Sequence, residues 1–211
     1  MISQKIKKLI LTTPYVRDSF EYLNRIRLTR TISVRLLNQK EKASLILDYA
    51  KKYRCRIFIE TGTYKGNTLS ACKDYFDDLS SIELSHELFL ENKKRFDFIK
   101  KIHLYEGDSG TLLPSVTKIN KPTLFWLDAH YSGQGTAQGT KDSPIIAELN
   151  FILNHRNDHC ILIDDARCFN GKDGYPRISG LKKMLKEKNV INKNSLVLEV
   201  KNDIIRITKA V

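Results

Sequence analysis

The spacing of apolar residues changes character partway along this chain. Up to about residue 53 they fall three or four apart, as in Ile6, Leu9 and Ile10 and again in Leu45, Ile46 and Tyr49, which predicts helices. Pro14 interrupts the pattern, so two or three short helices are expected there. Farther on, short apolar runs alternate with amphipathic stretches. RIFIE (56–60), LSSIE (79–83), KIHLYEGD (101–108), PTLFWLD (122–128) and CILIDD (160–165) read as strands. Residues 67–76, 85–99, 109–118, 143–153 and 178–188 read as the helices between and after them, with Ser143 as a cap and Pro144 in the first turn of its helix. The last two runs, SLVLEV and IIRIT, flank KND, which reads as a hairpin turn.

Five strand–helix units with nearly continuous apolar strands imply an α/β fold whose parallel sheet is covered on both faces. The final hairpin adds antiparallel pairing at one edge. Residues 1–53 read as a basic helical extension and 54–211 as the main domain. In such a sheet, ligands bind beyond the carboxyl ends of the strands, and there the chemistry accumulates. Four strands end in an acid (Glu60, Glu83, Asp128 and Asp164), and the third runs through Glu106 to Asp108. Chance placement would scatter these acids over helices and loops. The first strand leads into IETGTYKG, where Gly62 and Gly66 permit a tight turn and close approach of a ligand. The spacing is not that of the GxGxxG dinucleotide motif. An acid such as Glu83, closing the second strand, can hold both hydroxyls of a ribose.

Charge adds a bias and composition sets limits. The chain carries 36 Lys and Arg against 24 Asp and Glu, a net charge of +12 concentrated toward the N-terminus, which favours anionic partners. The early segment reads as a packing arm, or as a contact for a membrane surface or partner. The N-terminus lacks the long apolar region and cleavage site of a signal peptide and reads as mature sequence. No apolar run is long enough to predict a membrane span. Cys55, Cys72, Cys160 and Cys168 form no CxxC pair, which fits free thiols in a reducing cytoplasm.

IETGTYKG, SIEL and YEGDS together resemble the motifs of class I S-adenosylmethionine-dependent methyltransferases, over roughly residues 56–208. The resemblance implies a Rossmann-like, seven-stranded, mostly parallel sheet ending in an antiparallel hairpin. It implies that Glu60, Thr61, Gly62 and Gly66 surround the methionine part of the cofactor. Glu83 would hold the ribose, Asp108 and Ser109 would lie by the adenine, and Asp128 would border the site. Within this superfamily the chain is similar to the catechol and macrolide-sugar O-methyltransferases, whose strand 4 and 5 acids hold a divalent metal. Asp128, Asp164 and Asp165 match that pattern and imply Mg2+ or another divalent cation. The competing reading makes Asp164 a strand cap and pairs Asp165 with loop amides or Arg167.

Residues 129–144 form a long, glycine-rich loop that fails the phosphate-loop pattern and reads as a substrate cover. Within it, His130 is the first choice of general base and Lys141 the second, with Asp128 beside them. The expected activity is metal-dependent O-methylation of a small molecule, such as a sugar or glycosylated metabolite, with an anionic acceptor suited to the charge and a homodimer left open. Two alternatives stand: a metal-independent methyltransferase of RNA or protein, less favoured because no nucleic-acid motif is present, and a non-catalytic cofactor-binding or docking module.

Overall fold

The structure is a computed structural model that describes residues 35–117, 121–128, 143–155, 159–172 and 174–210. Its elements run α1 (Gln39–Lys52), β1 (Ile57–Thr61), α2 (Asn67–Cys72), β2 (Asp78–Glu83), α3 (His86–Phe96), β3 (Ile102–Glu106), α4 (Ser109–Val116), β4 (Thr123–Leu127), α5 (Ile145–Leu153), β5 (Cys160–Ile163), α6 (Ile178–Asn192), β6 (Leu196–Lys201) and β7 (Ile204–Lys209), with a single 3-10 turn at Ala166–Cys168. Every strand expected from the apolar runs is present.

The seven strands form one sheet in the order β3-β2-β1-β4-β5-β7-β6. The first five are parallel, and β7 pairs antiparallel with both β5 and β6. Asn202 and Asp203 both adopt positive φ, 52° and 61°. That backbone matches a type I′ turn, which favours Asn and Asp and joins twisted strands tightly. The direction of the crossovers changes between β1 and β4, so the binding crevice lies at the carboxyl ends of those two strands.

Strand alternation divides the core in two. Ile59, Phe125, Leu127, Ile161, Ile163, Ile205 and Ile207 face a layer that includes Leu149 and Ile152 of α5 and Leu181 and Leu185 of α6. Phe58, Leu79, Leu124, Trp126, Cys160 and Leu162 face the opposite layer, with Ala43, Ile46 and Ala50 of α1, Leu69 and Cys72 of α2, and Phe96 of α3. Both faces of β1, β4 and β5 are buried, which is why those strands read as continuous apolar runs rather than alternating ones.

Two boundaries differ from the sequence reading. The compact unit runs Leu36–Val211, so the division at 53/54 falls inside it. Helix α1 begins with a capping box, Asn38 and Glu41, and buries its apolar stripe on the sheet, which makes it part of the core rather than an extension. Helix α5 starts one residue late, with Pro144 at the cap position and the Ser143 hydroxyl accepting the Ile145 N–H at 3.4 Å. The earlier basic segment, residues 1–34, and the loop 129–142 lie outside the described residues. No helix among the described residues is long and apolar enough to cross a membrane.

Candidate functional site

The ladders continue one residue past the strands. Gly62 donates its N–H to Ile82 O at 2.9 Å, Gly107 to Glu83 O at 2.8 Å, Asp128 to Thr61 O at 3.0 Å and Asp164 to Leu127 O at 3.0 Å. The strand-end acids are therefore held along one rim of the sheet rather than on free loops.

Glu83 is the best organised of them. Its Oε2 accepts the Tyr64 N–H at 2.7 Å and its Oε1 accepts the Ser85 N–H at 2.9 Å. Each oxygen keeps lone-pair capacity for a ligand hydroxyl. The turn that delivers the Tyr64 N–H depends on left-handed backbone at Gly62 (φ 83°) and at Tyr64 itself (φ 48°). Asn92 of α3, which the sequence reading missed, anchors the same turn: its Nδ2 donates to Tyr64 O at 2.5 Å and Leu88 O at 2.9 Å. A polar residue on the buried face of an amphipathic helix was the available signal.

Glu60, the acid inside β1, is held in the interior. It is buried, and its Oε2 accepts the Ser81 hydroxyl at 2.8 Å, while Ser81 and Thr63 hydroxyls meet at 2.6 Å. Burial pushes its carboxyl up to about 8, opposed by the Ser81 bond and reinforced by Asp128. Through the Ser81 hydroxyl its carboxyl ties β1 to β2. Gly66 is likewise structural: a Cβ there would lie 2.3 Å from Asn92 Oδ1 and 2.6 Å from Phe96. The glycine lets α3 approach the start of α2.

Asp108 caps α4 by accepting the Gly110 N–H at 2.8 Å, and Ser109 turns inward to donate to Glu148 Oε1 at 2.6 Å. Glu148 is fully buried on α5, and burial raises its carboxyl to about 7 against the Ser109 hydrogen bond. It was legible as an acid at helical spacing between Ile145 and Leu149 and Ile152. The Thr61 hydroxyl faces the same carboxyl but is buried without a well-formed hydrogen bond.

At β4 and β5 alternation places Asp128 and Asp164 on the sheet face of Trp126 and Leu162, the face that α1 covers. There the Lys42 ammonium of α1 meets Asp164 Oδ2 directly. Burial works against the Lys42 charge, but Asp164, Asp128 and Asp165 outweigh it and its pKa is raised. Asp164 is also raised, by burial and by Asp128 and Asp165, with Lys42 opposing. Asp165 occupies left-handed backbone (φ 55°) and pairs with Arg167 Nη1 at 2.5 Å; the same guanidinium also grips Asp203 in the β6–β7 turn. Lys42 was missed because its partner is far away in sequence. Arg167 stood as the competing partner of Asp165.

The acids expected to hold a divalent ion lie near one another at the ends of β4 and β5, yet as arranged here they do not form a metal cradle. A magnesium ion requires about six oxygens at about 2.0–2.1 Å. Asp164 Oδ2 is already taken by Lys42 and Asp165 by Arg167. Among the described residues no group of three or more His, Cys, Asp or Glu is disposed to hold a metal. His130 and Lys141 lie outside the described residues.

No protein-family model and no curated protein matches the sequence. Solved structures do. The O-methyltransferase TomG from Streptomyces achromogenes, in complex with SAM, matches with a TM-score of 0.54 at 13% identity, over 80% of each chain. An O-methyltransferase from Bacillus cereus in complex with SAH matches with a TM-score of 0.52 at 12% identity, over 98% of this chain and 96% of its own. The SAH-bound methyltransferase from Podospora anserina gives a TM-score of 0.52 at 16% identity, over 83% and 80%. At these identities the likeness is one of fold, and the fold is the seven-stranded, Rossmann-like fold of S-adenosylmethionine-dependent methyltransferases.

Proposed function

We propose that this chain is an S-adenosylmethionine-dependent methyltransferase that acts on a hydroxyl of a small molecule. The observation that carries the reading is Glu83 at the end of β2, its two oxygens oriented by the Tyr64 and Ser85 N–H groups above a left-handed turn at Gly62. That geometry suits a ribose diol. Asp108 and the start of α4 border the adenine side, and Asp128 faces the acceptor side.

S-adenosylmethionine supplies a methyl group on a sulfonium, and its transfer leaves the sulfur with the C–S electron pair while the acceptor oxygen loses its proton. The protein's part is to align the acceptor oxygen and remove that proton. His130, two residues beyond Asp128, is the base this reading assigns, with Lys141 second. A basic chain of net charge +12 suits an anionic acceptor. No step in this reading passes through a divalent ion, because the carboxylates that would hold one are paired with Lys42 and Arg167.

Isothermal titration with S-adenosylmethionine and with its demethylated product tests the reading. Wild-type protein should bind both. Glu83→Ala should weaken binding by about 10–100-fold through loss of charge-assisted hydrogen bonds, and Gly62→Val should abolish it. A folded wild-type sample that binds neither molecule would falsify the assignment.

A further inference from the structure

The strongest departure from the expected site is the lysine at its centre. Lys42 is the fourth residue of α1, in the first helical turn, where the helix dipole disfavours a positive charge. Its side chain is only 20% exposed, so its charge is also partly desolvated. Neither fact stabilises a lysine. What does is the carboxylate cluster beneath it: direct contact with Asp164, and attraction from Asp128 and Asp165. Arg167 neutralises the far side of the cluster through Asp165 and Asp203. Of these acids, Asp128 and Asp164 follow Trp126 and Leu162 by two residues at the ends of β4 and β5, on the sheet face that α1 covers.

We propose that the Lys42 ammonium is the resident cation of this cluster, standing where a divalent ion would otherwise bind, so that the chain needs no metal there. The inference rests on the methyltransferase reading only for its consequence in catalysis; the claim about which cation occupies the cluster is independent of it. Lys42 acts as a positioning residue. It holds Asp164, and with it the rim beside Asp128, in one arrangement that a diffusible ion would have to break. An entering Mg2+ would compete for the oxygen Lys42 holds and would meet the ammonium's repulsion at close range.

The test is a Mn2+ titration of metal-stripped full-length protein, followed by electron paramagnetic resonance of free Mn2+ and by melting temperature. Wild-type protein should show no saturable site and no shift in Tm. Lys42→Met keeps the bulk of the stem and removes the charge, so the exposed carboxylates should acquire one saturable Mn2+ site, with a rise in Tm of roughly 5 °C at saturation. Lys42→Arg should acquire none, and adding Asp164→Asn to Lys42→Met should abolish the new site. Saturable Mn2+ binding by wild-type protein that Asp164→Asn removes would overturn the proposal, as would a folded Lys42→Met that gains no site. The wild-type titration decides the matter even if Lys42→Met does not fold. Calorimetry with the demethylated cofactor on the same sample separates the two ideas: failure there sinks the methyltransferase reading and leaves the Mn2+ result intact.

Discussion

Glu60 and Glu148 are acids that the fold holds out of water, one against the Ser81 hydroxyl and one behind Ser109, so both favour the neutral form. Burial lifts Glu60 to about 8 and Glu148 to about 7 from an ordinary value of 4.5. Because the folded-state values are raised, the stability these groups contribute is fully present below about pH 4.5. It is lost as pH rises through about 7 for Glu148 and about 8 for Glu60. The ligand-free protein should therefore lose on the order of a few kcal/mol between about pH 5 and pH 9. Melting curves followed by circular dichroism across that range should show a falling Tm. Glu60→Gln should flatten the alkaline part of the fall, since an amide cannot ionise; a slope identical to wild type would show that Glu60 does not carry it.

Helices α2 and α3 meet at a glycine. The backbone at Gly66 has φ 66°, and a Cβ there would press on Asn92 and Phe96 of α3. Left-handed strain and overpacking act together, so Gly66→Ala should destabilise by about 2–4 kcal/mol. Urea denaturation should show this as a lower midpoint with an unchanged slope. The loss belongs to packing between elements, because the contact is to a helix and not to the crevice. A midpoint equal to wild type would mean that α3 yields freely. Asn92 of α3 also anchors Tyr64, whose N–H reaches Glu83, so the packing at Gly66 and the site share one joint.

Across the molecule, the compact unit begins at Leu36 and includes α1. Ile46 and Ala50 are fully buried and Ala43 nearly so, all against the face that contains Phe58, Trp126 and Leu162. Removing this helix would strip the sheet of that cover and leave Asp164 without Lys42. The loss, several kcal/mol from Ile46 and its neighbours alone, approaches the whole stability of a typical domain. A fragment of residues 36–211 should therefore unfold cooperatively, while one of residues 54–211 should not. Differential scanning calorimetry of the two fragments distinguishes them; a cooperative transition in the shorter one would show that α1 is dispensable to the fold.

Much of the architecture was legible in the chain because burial leaves a local trace. Runs such as TLFWL and CILI are apolar on both parities because both faces of the sheet are covered, and Asn202-Asp203 marks the final hairpin because few residues tolerate φ above zero twice in succession. The rim of acids was legible too, since a strand's last residue is known once the strand is. Partners were not. Lys42 meets Asp164 across 122 residues, and Arg167 reaches Asp203 across 36. Arg167, two residues beyond Asp165, was legible as its partner, but nothing near Asp164 in sequence points to Lys42, and the metal expected there came from resemblance. The boundary at 53/54 failed for the same reason: α1 has helical spacing wherever it lies, and only packing against β4 and β5 makes it core. Periodicity determines which face of an element is apolar; closure of the chain over long distances decides what that face, and each charge on it, will touch.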